Sequence, residues 1–181
     1  MRVLPVPETL SGAGLVLARY RRGDAAAVHE AVVESGSDLS RFETWAHAPY
    51  TLEDAAAYVG WWIDGWQDGS AYYFGIWRED RYLGSCGVAG VNRAHRLAGL
   101  GFWVRTSETR RGVATAASRL VVGFCFDHLG LDRVEVLASV ENTASRRVAA
   151  KIGAVEEGVL RSRLVLGGMA HDAALSAVVH T

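Results

Sequence analysis

Residues 97–128 contain an apolar run, a short polar loop and a helix start in direct succession, and this succession constrains the chain most. We predict a strand over Leu97–Val104 and a helix from Gly112 to about His128. The first N–H groups of a helix have no internal partner and carry partial positive charge, so they can bind an anion. Because Gly112 lets a ligand approach the backbone closely, the pattern indicates a phosphate or diphosphate site. An ordinary strand–helix junction has the same pattern.

Two arginines precede this glycine and would strengthen such a site. Arg110 and Arg111 supply full positive charge that can pair with phosphate. The loop lacks the Gly-Lys-Ser/Thr ending of a nucleotide phosphate loop and the three glycines of a dinucleotide fingerprint. Neither of those two nucleotide-binding classes is therefore indicated.

The rest of the chain alternates between strand patterns and helix patterns, and it contains no linker composition and no repeat. Further helices are predicted at Ala25–Glu34 (ended by Gly36), Thr51–Trp66 (opened by a capping box) and Asn142–Ile152, with a short helix or loop at Asp38–Trp45. Further strands are predicted at Leu10–Tyr20, Ala71–Trp77, Tyr82–Val91, Arg133–Val140, Val155–Leu166 and Met169–His180. This order predicts a single α/β domain over residues 1–181 with a mixed sheet, whose central parallel pair flanks the Gly112 helix.

Composition excludes several classes of protein. The chain has 181 residues, is half hydrophobic and carries a net charge of −1, which argues against a general nucleic-acid or membrane-surface binder. Cys86 and Cys125 form no CxxC pair, so we expect two free thiols and no metal site. No apolar run is long enough to span a membrane and the N-terminus lacks a signal-peptide pattern, so we expect a soluble, cytoplasmic protein.

The second half of the chain contains an ordered set of short motifs. They are Gly101-Phe102-Trp103-Val104, Arg111-Gly112-Val113-Ala114-Thr115, Arg133-Val134-Glu135, the run 141–154, Glu157-Gly158 and His171-Asp172. In order and spacing this set resembles the GNAT superfamily of N-acetyltransferases, and especially its RimJ/RimL branch, which acetylates protein N-termini, including those of ribosomal proteins. The resemblance covers nearly the whole chain. It implies a mostly antiparallel sheet with a splayed parallel pair, acetyl-coenzyme A (acetyl-CoA) as cosubstrate and an amine acceptor.

The resemblance also assigns the coenzyme site. The family's phosphate motif is Gln/Arg-x-x-Gly-x-Gly/Ala, and Gly112 and Ala114 occupy its last two defined positions, whereas Thr109 departs from it at the first. The implied pyrophosphate binders are Arg110, Arg111, Gly112, Val113, Ala114 and Thr115. The implied pantetheine binders are Phe102, Trp103, Val104 and Asn142. Strand alternation predicts that either Phe102 or Trp103 only packs in the core, and Asn142 is equally suited to cap a helix.

The catalytic residues follow the family less well. Ala149 stands where many members carry the tyrosine acid, while Ser145 matches a serine that the branch uses to handle the leaving thiolate. The glutamate proposed as base in a Rim-type enzyme falls on Leu164, which cannot accept a proton. Glu43 and His47, in a segment that lines the family's acceptor groove, are the alternatives, and a bound water is another.

The implied reaction is direct attack of a primary amine on acetyl-CoA in a ternary complex, with a protein or peptide N-terminus as the favoured acceptor. A small-molecule amine such as an antibiotic, polyamine or amino acid is the alternative acceptor, and a non-catalytic CoA-binding protein is the alternative class. A homodimer is plausible from the branch. One aromatic group could line an acceptor pocket, although its spacing favours core or dimer packing: Trp45, Trp61, Trp62, Trp66, Tyr72 and Tyr73.

Overall fold

A computed structural model describes residues 6–180, which form one eight-stranded sheet and four α-helices. The strands are β1 (Thr9–Gly12), β2 (Leu15–Arg19), β3 (Ala71–Arg78), β4 (Arg81–Asn92), β5 (Leu97–Val104), β6 (Arg133–Ser139), β7 (Val155–Leu166) and β8 (Met169–Val179). The helices are α1 (Ala25–Leu39), α2 (Leu52–Asp68), α3 (Val113–Asp127) and α4 (Thr143–Lys151). Two short 3-10 turns lie at Arg22–Asp24 and Thr106–Glu108.

The sheet order is β1-β2-β3-β4-β5-β6-β8-β7, and only the β5–β6 pair is parallel. The predicted mixed α/β architecture, mostly antiparallel with one central parallel pair, is therefore confirmed. The helix α3 connects the two parallel strands, as a crossover between parallel neighbours requires.

The parallel strands separate soon after they meet. They pair from Leu97–Arg133 only as far as Gly99–Glu135. Beyond that point β5 stays paired with β4 and β6 stays paired with β8. A wedge therefore opens between the second half of β5 and the second half of β6, which confirms the expected splay.

Helices cover both faces of the sheet, and the two faces divide the core. One cluster packs α1 and α2 against the sheet and contains Val28, Val59 and Trp103. The other packs α3 against the opposite face and contains Phe74 and Val121. These buried apolar side chains account for most of the driving force that holds the helices on the sheet.

The strand alternation around the wedge separates the two aromatic neighbours of β5. Trp103 is buried against α1 and α2, and its indole Nε1 donates to the hydroxyl of Tyr58 over 2.9 Å. Phe102 packs toward the α3 cluster. The alternation thus sends the two side chains to different core clusters, but the expectation that one of them only packs in the core was wrong, because both residues also line the cavity described below.

Two predicted element boundaries were wrong. The single strand at Leu10–Tyr20 is a hairpin, because Ala13 (φ 53°) and Gly14 (φ 71°) form a turn that divides it into β1 and β2. Gly36 does not end α1, which continues to Leu39, so the predicted segment Asp38–Trp45 begins inside a helix. Glycine weakens a helix by about 1 kcal/mol, and tertiary contacts of the last turn, described below, outweigh this.

The capping box at the start of α2 is confirmed. The N–H of Asp54 donates to the Thr51 hydroxyl over 3.2 Å, and the N–H of Thr51 donates to the Asp54 carboxylate over 2.8 Å. Among residues 6–180, no helix is long and apolar enough to cross a membrane.

The predicted core role of the aromatic group is confirmed for most of its members. Trp66, Tyr72 and Tyr73 are buried, and Trp62 stacks on Tyr73 with 3.7 Å between the ring centroids. Trp61 is the exception, with 61% of its surface exposed. None of the six lines either of the two cavities described below.

Candidate active site

A cavity of about 570 Å³ extends from the N-terminus of α3 into the wedge between β5 and β6. Every predicted site residue except Arg111 and His47 lines it: Glu43, Phe102, Trp103, Val104, Arg110, Gly112, Val113, Ala114, Thr115, Asn142 and Ser145. The chain thus brings together residues from the α1–α2 loop, β5, α3 and α4.

The backbone at the start of α3 is open to a ligand. Gly112 is the N-cap residue, with φ 80° and ψ 0°, a left-handed conformation that favours glycine. A Cβ added there would meet no protein atom within 4 Å, so the space beside it is empty. The first intrahelical bond runs from the N–H of Ala116 to the Gly112 carbonyl, which leaves the preceding N–H groups without a helical acceptor. These features fit the binding of a diphosphate.

The guanidinium groups of the two adjacent arginines lie in different places. Arg110 lines the cavity, as do the basic residues Arg147 and Lys151 of α4. The Arg111 guanidinium instead lies 3.8 Å from the carboxylate of Glu108, and Arg111 is not among the residues that line the cavity. The prediction that both arginines face the phosphate site is therefore supported for Arg110 alone.

Glu108 is a buried carboxylate, which the sequence analysis did not single out. It accepts hydrogen bonds from Arg78 (2.9 Å) and Arg81 (3.2 Å) of the β3–β4 hairpin. A buried carboxylate needs such partners, because its desolvation is costly. The loop before Gly112 is thus held by a distant hairpin. No local sequence pattern marks this pairing, because Glu108 lies 30 and 27 positions from its two partners.

The end of α1 is fastened to the same loop. The buried guanidinium of Arg105 pairs with Glu30 (3.1 Å) and Glu34 (3.2 Å). The hydroxyl of Thr106 donates to Asp38 over 2.6 Å, and its N–H donates to the hydroxyl of Ser35. These contacts hold the last turns of α1 in place and direct the residues that follow, including Glu43, into the cavity wall.

Asn142 and Ser145 are coupled at the start of α4. The side-chain carbonyl of Asn142 accepts from the N–H of Ser145 over 3.0 Å, so Asn142 is the N-cap of this helix. Its NH₂ group is a further donor that a ligand could use. Because both residues also line the cavity, the capping interpretation and the ligand-binding interpretation are compatible.

A second cavity, of about 210 Å³, occupies the wedge between the diverging strands. It shares a wall with the first cavity, formed by Phe42, Glu43, Phe102, Asn142 and Ser145. Leu164 and Leu166 of β7 lie on its lining as well. Leu164, which stands at the family's glutamate position, is therefore an apolar part of the site.

Glu43 carries a carboxylate with an unusual proton affinity. Burial raises the pKa of Glu43 to about 7. The Trp45 indole N–H donates a hydrogen bond to the carboxylate over 2.8 Å, which lowers the pKa and so opposes part of this rise. The Trp45 ring is itself held between Tyr58 (4.6 Å between centroids) and Trp103 (5.7 Å). Glu43 can therefore gain or lose a proton near neutral pH in the wall that both cavities share.

The other predicted catalytic residue, His47, is not brought to the site. Its ring is exposed, with Nδ1 3.2 Å from the carbonyl of Pro49 and Nε2 3.7 Å from Asp54 at the start of α2. It lines neither cavity. We therefore withdraw His47 as a candidate base.

The first cavity is also lined by the carboxylates of Asp38 and Glu108, which are engaged by Thr106 and by the arginines of the β3–β4 hairpin, and neither cavity is lined by a cysteine. Ala149 is buried, and no tyrosine lines either cavity. Cys86 and Cys125 are buried free thiols, and burial raises the pKa of both. Within residues 6–180, no group of three or more His, Cys, Asp or Glu side chains is placed to hold a metal ion.

Known acetyltransferases are similar to this chain in sequence. The sequence pattern of a family described as "Acetyltransferase (GNAT) domain" matches residues 14–155. The chain is 32% identical over 153 residues to the "Putative ribosomal N-acetyltransferase YdaF" of Bacillus subtilis (strain 168), covering 82% of each protein.

Two solved structures are similar over nearly the whole chain. Mycobacterium smegmatis RimJ, solved in complex with CoA-disulfide, has a TM-score of 0.85 and 27% identity, with 94% of this chain and 85% of that chain covered. The Microcin C7 self-immunity acetyltransferase MccE, solved with acetyl-CoA and AMP, has a TM-score of 0.89 and 18% identity, with 93% and 94% covered. The second likeness concerns the fold alone.

Proposed function

Since the chain belongs to the GNAT acetyltransferase family, we propose that it transfers the acetyl group of acetyl-CoA to the N-terminal α-amine of a protein or peptide. The observation that carries this proposal is the shared wall of the two cavities, where Glu43 and Ser145 lie beyond the α3 N-terminus. The resemblance to the RimJ/RimL branch and the name of YdaF, a putative ribosomal N-acetyltransferase, support a protein acceptor rather than a small molecule.

The first cavity would hold the coenzyme. The α3 N-terminus and the side chain of Arg110 would bind the pyrophosphate, with Arg147 and Lys151 adding positive charge nearby. Past Gly99, β5 has no backbone partner on the β6 side, so its peptide groups can bind the amides of a pantetheine arm. The NH₂ group of Asn142 would donate to the same arm.

The chemistry begins with a proton transfer, because an ammonium group has no lone pair to attack with. The carboxylate of Glu43 would take one proton from the acceptor, and the neutral nitrogen would attack the thioester carbonyl carbon. Negative charge would then develop on that carbonyl oxygen, where a backbone N–H of β5 near Val104 can stabilise it. When the carbon–sulfur bond breaks, the thiolate would take a proton from the Ser145 hydroxyl. The acceptor nitrogen, which still carries one proton more than the neutral amide, would release that proton through water to Ser145, and the proton held by Glu43 would pass to solvent.

This proposal can be tested by pairing a binding measurement with a turnover measurement. We expect calorimetric titration to detect acetyl-CoA binding, and mass spectrometry to detect an added acetyl group on peptides with a free N-terminus but not on spermidine or an aminoglycoside. The Glu43→Gln variant should bind acetyl-CoA as the wild type does and turn over about 10²- to 10⁴-fold more slowly.

The pH dependence gives a second readout for the same base. Because Glu43 must be deprotonated to act, wild-type kcat/KM should rise as the pH passes about 7, and the Glu43→Gln variant should lack this rise. A failure to bind acetyl-CoA would overturn the proposal. Acetylation of small amines alone would favour the small-molecule alternative, and binding without turnover on any amine would favour the non-catalytic one.

A cytoplasmic location belongs to this proposal. Both cysteines are free thiols, which are typical of a reducing compartment, and the YdaF relative is named a putative ribosomal N-acetyltransferase.

A further inference from the structure

The walls of the second cavity combine apolar side chains with uncharged polar groups. Leucine and valine side chains come from three different strands: Leu100 from β5, Val136 from β6, and Leu164 and Leu166 from β7. No lysine, arginine, histidine or aspartate is among the residues that line it. An acceptor side chain that enters this space therefore meets uncharged groups on nearly every side.

Only one side chain in the lining of the second cavity is ionisable. The hydroxyl of Ser139, which is buried, accepts from the N–H of Glu141, and the side-chain carbonyl of Asn142 caps α4. Glu43 is the one carboxylate in the lining, so it can balance one ammonium group. A second charge of either sign would lose its hydration here without gaining a partner, which is costly.

A bulge in β7 turns the two leucines toward this cavity. The register of β7 on β8 shifts between Leu160 and Leu164, and Ser162 adopts φ 52°. The side chain of Asp172 accepts from the N–H of Ser162 over 2.8 Å and holds the bulge in place. Beyond the bulge the strand alternates, so that Leu164 and Leu166 line the cavity while Val165 between them is exposed.

From this arrangement we propose that the second cavity receives the first side chain of the acceptor peptide, that it selects an uncharged side chain, and that Leu164 is the specificity-determining residue. The inference rests on the proposed function, because it places the α-amine at Glu43. The amine supplies the one positive charge that Glu43 balances, and the first side chain then extends toward the leucines.

The test uses peptides that differ only in their first residue. Alanine, serine and valine represent uncharged starts, and aspartate and lysine represent charged ones. We expect wild-type kcat/KM to be at least about tenfold higher for the uncharged group, the low end of what a side-chain pocket discriminates. The Leu164→Glu variant should lose activity on the alanine peptide and gain activity on the lysine peptide, because it adds a second carboxylate.

A matched control lies on the neighbouring residue. The Val165→Glu variant adds the same charge on the exposed face of the same strand and should keep the wild-type order of preference. Acetyl-CoA affinity, measured by calorimetry, should be unchanged in both variants, which also establishes that they are folded, since neither residue lines the first cavity.

The outcomes separate this inference from the proposed function. If no peptide is acetylated, the proposed function fails and this inference fails with it. If peptides are acetylated but charged and uncharged starts react equally, or if the two glutamate variants behave alike, the selection by Leu164 is overturned while the proposed function stands.

Discussion

A single residue, Glu43, is the base that we propose in place of the glutamate that the family pattern lacks here. The position at which a Rim-type enzyme has its glutamate is occupied by Leu164, and Glu43 lies on the lining of the same cavity. The carboxylate therefore comes from the α1–α2 loop rather than from β7. We interpret Glu43 as a base that comes from a different segment of the chain than the family's glutamate but lies in the same cavity.

The raised pKa of Glu43 should make stability depend on pH. Because its folded pKa of about 7 exceeds the ordinary 4.5, the folded protein holds this proton more tightly than the unfolded chain does. The contribution of Glu43 to the free energy of unfolding is therefore present below about pH 4.5 and is lost as the pH rises through about 7.

Glu43→Gln removes this dependence. We expect the Tm of the variant minus the Tm of the wild type to be more positive at pH 8 than at pH 5. Scanning calorimetry of both proteins at both pH values measures this difference. An equal difference between the two proteins at both pH values would mean that Glu43 titrates normally.

At the scale of elements, the loop from β5 to α3 is built from contacts that are distant in the chain. The buried carboxylate of Glu108 pairs with Arg78 and Arg81 of the β3–β4 hairpin, and the buried Arg105 pairs with α1. The α3 N-terminus and the wall that carries Glu43 are thus supported by the same few residues around position 106. The proposed coenzyme site and the proposed acceptor site therefore share one support.

We expect different roles for Arg110, which lines the first cavity, and Arg111, which pairs with Glu108. Arg110→Ala should weaken acetyl-CoA binding by about tenfold, the loss of roughly one charge-assisted hydrogen bond. Arg111→Ala, which removes an exposed partner of Glu108 at 3.8 Å, is the matched control and should change the affinity less than twofold. Calorimetric titration of both variants decides this, and equal losses would show that both guanidinium groups reach the ligand.

At the scale of the whole molecule, β7 is an open edge of the sheet. It pairs with β8 on one side only, and its residues Val155 and Val159 are more than half exposed, as is Met169 of β8. An edge strand with exposed apolar side chains is a template for pairing with another chain. This is the surface through which we expect the homodimer that the sequence analysis anticipated.

The expected dimer can be tested by sedimentation equilibrium. Val159→Lys should shift the wild-type dimer to a monomer, because it places a charge in the apolar edge. Val33→Lys, on an exposed part of α1, should leave the dimer intact. A wild-type protein that is monomeric at micromolar concentration would contradict the expectation.

The coenzyme half of the site was predictable from the sequence by itself. It depends on a strand, a turn and a helix start that are contiguous from Leu97 to Thr115, so that local propensity and one glycine with a left-handed backbone predict these elements in order. The ion pairs that hold the loop between them were not predictable in this way, because their partners lie far away in the chain. The same holds for α2 and its capping box at Thr51, whose partner lies three residues away. Short-range hydrogen bonds and helix geometry leave their pattern in neighbouring residues.

The half of the site that we assign to the acceptor depends on packing between distant parts of the chain. The sequence offered Glu43 and His47 on equal terms, and packing placed Glu43 on the shared wall and His47 at the surface. It also paired Arg111 with Glu108 and placed Leu164 on the lining of the cavity that holds Glu43. These positions follow from the splay of two strands and from ion pairs between residues far apart in the chain. Such contacts are selected by the burial of the whole core and leave no local pattern to read.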